Sequence, residues 1–197
     1  MNYSIYAEST PNPEVMKFVS NRMLSSDSSE YTNPKEASGN SLAKELFKFN
    51  FIESIFISSN FISIQKKKDV NWEDIALALR SHIVDYLNSQ EIQDYTHKDT
   101  PKKTNFKKQE AEVVKNKTLS EIEKDIISLL NEYIKPAVEG DGGAIEFVSF
   151  KSGIVEVLMK GACSGCPSST ATLKQGILSL LKQKIGNEIN DVVAING

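Results

Sequence analysis

The chain has 197 residues, 40% of them hydrophobic, with two cysteines and a formal net charge of -3 at pH 7. That length gives one full domain or two small ones, with enough apolar content for a buried core. The mild acidity argues against nucleic acid or an anionic membrane as partner, since both favour basic surfaces. No apolar run of about 18 residues crosses a bilayer, and the opening M-N-Y-S-I-Y-A-E has neither the flank of a signal peptide nor the Arg-rich character of a transit peptide. The expected compartment is the cytoplasm, where cysteines stay reduced.

In chain order, Tyr3 to Ala7 and Val15 to Val19 read as strands separated by the turn S-T-P-N-P. The polar stretch S-S-D-S-S-E-Y-T-N-P reads as a loop. Leu42, Leu46 and Phe49 predict a helix from Ser41 to Phe49, after which I-E-S-I-F-I-S and F-I-S-I-Q pair across Ser59 and Asn60 as a hairpin. Asn71 caps a further helix whose apolar set, Trp72, Ile75, Ala76, Leu79, Ile83 and Leu87, recurs at helical spacing. The order ββαββα layers helices on one sheet, in a domain spanning residues 1–88.

Residues 89–117 break the pattern. Q-D-Y-T-H-K-D-T-P-K-K-T-N-F-K-K-Q-E is polar, carries both signs of charge and contains Pro101, so it reads as a solvated linker, with a short helix around Ala111 to Lys115. A second domain, 118–197, opens with a capping box of Thr118 and Glu121. A helix lined by Ile122, Ile126, Leu129, Leu130, Tyr133 and Ile134 follows and is expected to end at Pro136. After E-G-D-G-G come the strands A-I-E-F-V-S-F and I-V-E-V-L-M-K, joined through Lys151, Ser152 and Gly153. A helix from Ser168 to Lys184, stopped by Gly186, and a strand D-V-V-A-I complete an αββαβ order. The fold class is α+β: two small two-layer α/β domains joined by a polar linker.

The chemistry concentrates in K-G-A-C-S-G-C-P-S-S at 160–169, which holds both cysteines, Cys163 and Cys166. The segment lies between a strand and a helix N-terminus, where free backbone N–H groups and the helix dipole favour thiolates. Pro167 suits the first helical turn, and the small residues around it let a bulky ligand approach the backbone. Three readings compete. A dithiol oxidoreductase uses C-x-x-C before a helix, but only a short segment follows Cys166, with no proline beyond the adjacent Pro167. A structural zinc needs four protein ligands, and neither His82 nor His97 has ligand spacing to the cysteines, which leaves a zinc-bridged dimer. An iron–sulfur cluster takes four cysteines as a rule; one chain falls two short, and a twofold homodimer supplies the rest for one 4Fe–4S cluster shared between subunits.

Other candidates have plainer readings. Asp141, Gly142 and Gly143 read first as a turn from helix to strand, with shaping the ground beneath the cysteine loop as the second reading. Glu139, Asp141 and Glu146 read as solvated acids, Lys160 and Lys174 as surface lysines, His82 and His97 as helix-surface and linker histidines, and Trp72 as core or interface.

Two stretches, V-E-G-D-G-G-A-I-E-F at 138–147 and K-G-A-C-S-G-C-P-S-S-T-A-T-L-K at 160–174, resemble the C-terminal domain of NifU, found in Nfu-type iron–sulfur scaffold and carrier proteins. E-S-T-P-N-P-E-V-M-K-F at 8–18, S-L-A-K-E-L-F at 41–47 and I-F-I-S-S-N-F-I-S-I before the tryptophan helix are similar to the Nfu N-terminal domain. The resemblance implies a carrier without enzymatic activity, in which Cys163 and Cys166 ligate a cluster shared by a dimer. It also implies an upstream cluster scaffold as donor and apo iron–sulfur proteins as clients, with a 2Fe–2S cluster or iron alone as other cargo.

Overall fold

A computed structural model of the chain describes residues 2–89, 120–164 and 167–196, without the side chains of 167–169 and 196. The readings made for Thr118, His97, Cys166, most of the linker and its helix at Ala111 to Lys115 lie outside the described residues. The chain divides into two compact units, each mixing helices with one sheet, so the α+β class holds.

The N-terminal unit has strands β1 (Ile5–Ser9), β2 (Val15–Ser20), β3 (Ser29–Tyr31), β4 (Ile52–Ser58) and β5 (Phe61–Lys66), with helices α1 (Ser41–Leu46) and α2 (Trp72–Ser89). The strands form one antiparallel sheet in the order β1-β2-β5-β4-β3. The hairpin turns at Ser59 and Asn60 as expected, with Ser58 opposite Phe61. Leu79, Ile83 and Leu87, one turn apart on α2, are buried with Leu42 and Leu46 of α1 against Phe18, Ile55, Ile62 and Ile64 of the sheet. Burying each such side chain contributes about 1.5–3 kcal/mol, so this layer fixes the unit. Trp72 packs on the rim of the core, its ring edge toward Phe18 at 6.4 Å and its N–H donating to the Pro13 carbonyl at 3.1 Å.

Three readings in this unit need correction. The stretch taken as a loop contains β3, and the unit is βββαββα. Ser29–Tyr31 lacks apolar alternation; it becomes a strand because it completes the free edge of β4, Ser29 opposite Ile57 and Tyr31 opposite Ile55. The first strand starts at Ile5, because the Tyr3 backbone is held by Asn88 at the end of α2, through bonds of 2.8 and 3.1 Å. The helix at Ser41 stops at Leu46, and Phe49 turns its ring to Phe51 and His82, centroids 5.4 and 4.9 Å away.

The C-terminal unit begins with α3 (Glu121–Leu129), continues through a π-helical turn (Leu130–Ile134) into α4 (Lys135–Gly140), and goes on to β6 (Gly143–Lys151), β7 (Ile154–Gly161), α5 (Pro167–Lys184) and β8 (Asp191–Asn196). The αββαβ order stands, with two corrections. The capping box is Ser120 with Glu123, whose carboxylate accepts the Ser120 N–H at 2.8 Å. Both T-L-S-E and S-E-I-E satisfy the motif, and the second is the one that opens the helix. Pro136 does not end the helical path. Proline lacks an N–H and its ring collides with a normal preceding turn; the π turn widens that place, where Lys135 N–H reaches back to the Leu130 carbonyl, and the chain runs on to Gly140.

Strand β7 lies between β6, antiparallel, and β8, parallel. Ser152 and Gly153, with φ of 52° and 81°, make the two-residue β6–β7 turn, the pair of positive φ values that tight hairpins require. Ile126, Leu130 and Val138 from the first helical segment and Ile177 and Leu181 from α5 bury against Val155, Val157 and Met159. Gly186, at φ 104°, closes α5 through its N–H to the Lys182 carbonyl at 3.0 Å.

Candidate metal-thiolate site

The cysteine loop is built where β7 leaves the sheet. Gly161 turns the backbone with φ 65°, a conformation that costs glycine little. Ala162 N–H donates to the Gly142 carbonyl at 3.2 Å, and the N–H and hydroxyl of Ser164 both donate to the Gly161 carbonyl, at 3.0 and 2.9 Å. The loop then enters α5 at Pro167, the first helical residue, where a missing N–H leaves no intrahelical bond unmade. One turn into the helix the Thr170 hydroxyl lies 3.5 Å from the Cys163 carbonyl.

Cys163 is 7% exposed and belongs to the core of this unit. Beneath it lies the start of β6. A Cβ at Gly143 would stand 2.8 Å from the Cys163 Sγ and 2.7 Å from the Lys160 carbonyl oxygen, both inside contact distance. Of the D-G-G turn, Gly142 needs glycine for its φ of 83°, whereas Gly143 does not have a positive φ and needs it for space. The turn thus does more than join helix to strand. Its signal in the sequence was the second glycine, since one suffices for such a turn.

The other candidates fall elsewhere. Lys160 pairs with Glu146 at 2.7 Å across the strands. Lys174 pairs with Asp191 at 3.2 Å, and the Asp191 carboxyl sits below its usual range because it accepts the Val192 N–H and, next, a hydrogen bond from Lys174. His82 lies on α2 against Phe49, its Nε2 3.4 Å from Glu45 Oε1. Glu45 is in turn held below the usual carboxylate range, chiefly by Lys48. Among the described residues, no three His, Cys, Asp or Glu side chains gather closely enough to hold a metal ion.

Two known protein domains match this chain, one over each unit. Residues 5–90 match the scaffold protein Nfu/NifU N-terminal domain and residues 126–193 match the NifU-like domain. The chain belongs to the Nfu/NifU family and carries both of its modules in order. NifU-like protein 4, mitochondrial, of Arabidopsis thaliana is 32% identical over 90% of this chain and 61% of its own length. The human NFU1 iron-sulfur cluster scaffold homolog, mitochondrial, is 29% identical over 90% of this chain and 66% of its own. The chain therefore spans about three fifths of the length of the first of these relatives. Among solved structures, a NifU-like protein from Saccharomyces cerevisiae is 27% identical over 46% of this chain and 87% of that one, with a TM-score of 0.39.

These relatives correct the expected compartment. Both are mitochondrial by name, against the cytoplasmic reading. The cytoplasmic reading rested on the absence of a leader pattern in the opening residues, and such an absence names no compartment.

Proposed function

We propose that this chain binds an iron–sulfur cluster as cargo and delivers it to apoproteins, with Cys163 and Cys166 as its ligands. The observation that supports this most is the grouping of the chain's two cysteines in one C-x-x-C within a NifU-like domain, with Cys163 just after β7. The human relative is named an iron–sulfur cluster scaffold, and the proposal carries that role to this chain. Two thiolates per chain make half of a four-thiolate set, so one 4Fe–4S cluster is held between the identical loops of a homodimer. A 2Fe–2S cluster or iron alone is the lesser cargo.

Delivery is ligand exchange without redox change. Each client cysteine loses its proton to solvent and forms an iron–sulfur bond, while a bond from iron to Cys163 or Cys166 breaks and that thiolate is reprotonated. Nothing is turned over, and the chain acts as a carrier, not an enzyme. The cluster comes from an upstream scaffold, in the mitochondrial compartment that its relatives' names indicate. Residues 1–88 serve partner choice, 89–117 link, and 118–197 bind the cluster.

Anaerobic reconstitution of the chain with ferrous iron and sulfide, followed by sizing chromatography and Mössbauer spectroscopy, tests this. The expected product is a brown dimer with one 4Fe–4S cluster per two chains. Cys166→Ser should lose the cluster and the cluster-dependent dimer together while retaining its circular dichroism. A colourless monomer that reduces disulfides, or a Cys166→Ser protein with full cluster content, overturns the proposal.

A further inference from the structure

The fold keeps the Cys163 thiol inside, and the residue that makes room for it is on the neighbouring strand. Cys163 belongs to the buried core that also holds Val157, Ile177 and Leu181. Against it lies the backbone of Gly143, where any Cβ would come within 2.8 Å of Sγ and 3.1 Å of the Cys163 Cβ. Gly143 faces Gly161 across the β6–β7 ladder, so two residues without side chains meet where the cysteine loop leaves the sheet. The hydrogen bond from Ala162 N–H to the Gly142 carbonyl ties the loop to the same turn. Close packing leaves no slack for an added methyl at such a place.

We infer that Gly143 is a positioning residue for Cys163: its bare backbone is the seat in which the thiol rests. Cluster uptake then includes a step in which the loop lifts Cys163 off this seat, turning about Gly161. The seat guards one ligand against alkylation and oxidation until the loop opens. Its meaning for a ligand rests on the proposed cluster role, whereas the state of the thiol does not.

The test is site-resolved alkylation of the metal-free full chain with iodoacetamide, Cys163 and Cys166 being read separately by peptide mass spectrometry. In the native protein Cys163 should react more than about tenfold slower than in urea, as a core group that reacts only through opening. Gly143→Ala should speed Cys163 alkylation several-fold relative to native protein and shift the visible spectrum of the reconstituted cluster. Gly140→Ala, at a place with nothing within 4 Å of the added carbon, should leave the Cys163 rate unchanged. The inference is overturned if native Cys163 reacts as fast as in urea. A folded Gly143→Ala protein that alkylates at the native rate overturns it equally, and so does a Gly140→Ala effect of the same size. Should Gly143→Ala fail to fold, the comparison of native protein with urea decides alone. Failure of the native chain to take up a cluster would instead remove the proposed function and leave the thiol result standing.

Discussion

The two units hold their most distinctive turns by opposite means. In the N-terminal unit the S-T-P-N-P turn between β1 and β2 is closed by its own side chains: Thr10 Oγ1 lies 2.9 Å from the carbonyls of both Asn12 and Val15 and accepts the Asn12 N–H, while Asn12 Oδ1 accepts the Glu14 N–H at 3.1 Å. In the C-terminal unit the cysteine turn is shaped by glycines, through Gly161, Gly142 and the space at Gly143. A turn stapled by side chains fixes one conformation. A turn shaped by missing side chains can hold a conformation and still leave a thiol free to change partners.

Four experiments break or sharpen that contrast, beginning with the largest effect. Phe18→Ala, which empties a fully buried site on β2, should destabilise the N-terminal unit by about 3–5 kcal/mol. Fluorescence of Trp72, the single tryptophan, packed on Phe18, follows this in a denaturant titration. Cluster uptake should survive; if it is lost with the N-terminal unit, the two units do not work separately. Thr10→Val removes the hydroxyl and keeps the shape, and should cost about 1–2 kcal/mol in the same titration. An unchanged midpoint would mean that the side-chain staple contributes nothing.

Ser120→Ala should lower the stability of the C-terminal unit by about 1 kcal/mol, the usual worth of such a cap, read by circular dichroism during thermal unfolding. The smallest effect concerns Glu36. Desolvation acts to raise its carboxyl, but bonds from the backbone and hydroxyl of Thr32, at 2.8 and 2.9 Å, and then from Asn33 outweigh it and hold the group below its usual value. The stabilisation is therefore complete above the ordinary glutamate value, about 4.3, and is lost as pH falls through the lower folded value. Glu36→Gln should flatten the acid limb of the N-terminal stability curve, and an identical limb in both proteins would exclude this contribution.

What was legible in the sequence had local causes. The spacing of Leu79, Ile83 and Leu87 exposes α2, and the pair Ser152 and Gly153 exposes a tight hairpin, because each pattern is dictated within a few residues. The cysteine loop was legible for the same reason, as small residues and a proline around two thiols. What was not legible depended on distant chain. β3 exists only because β4 offers it an edge, and Tyr3 leaves the ladder because Asn88 takes its backbone. The path through Pro136 depends on a widened turn that no residue type announces. The seat at Gly143 required knowing that β6 starts beneath Cys163, a relation between residues 20 apart.

The parallel pairing of β7 with β8 sets Asn196 opposite Met159, two residues before the glycine where the cysteine turn begins. Chain continuing beyond Asn196 leaves the sheet at that same end. A bulky group placed just after Asn196 would therefore crowd the cysteine turn.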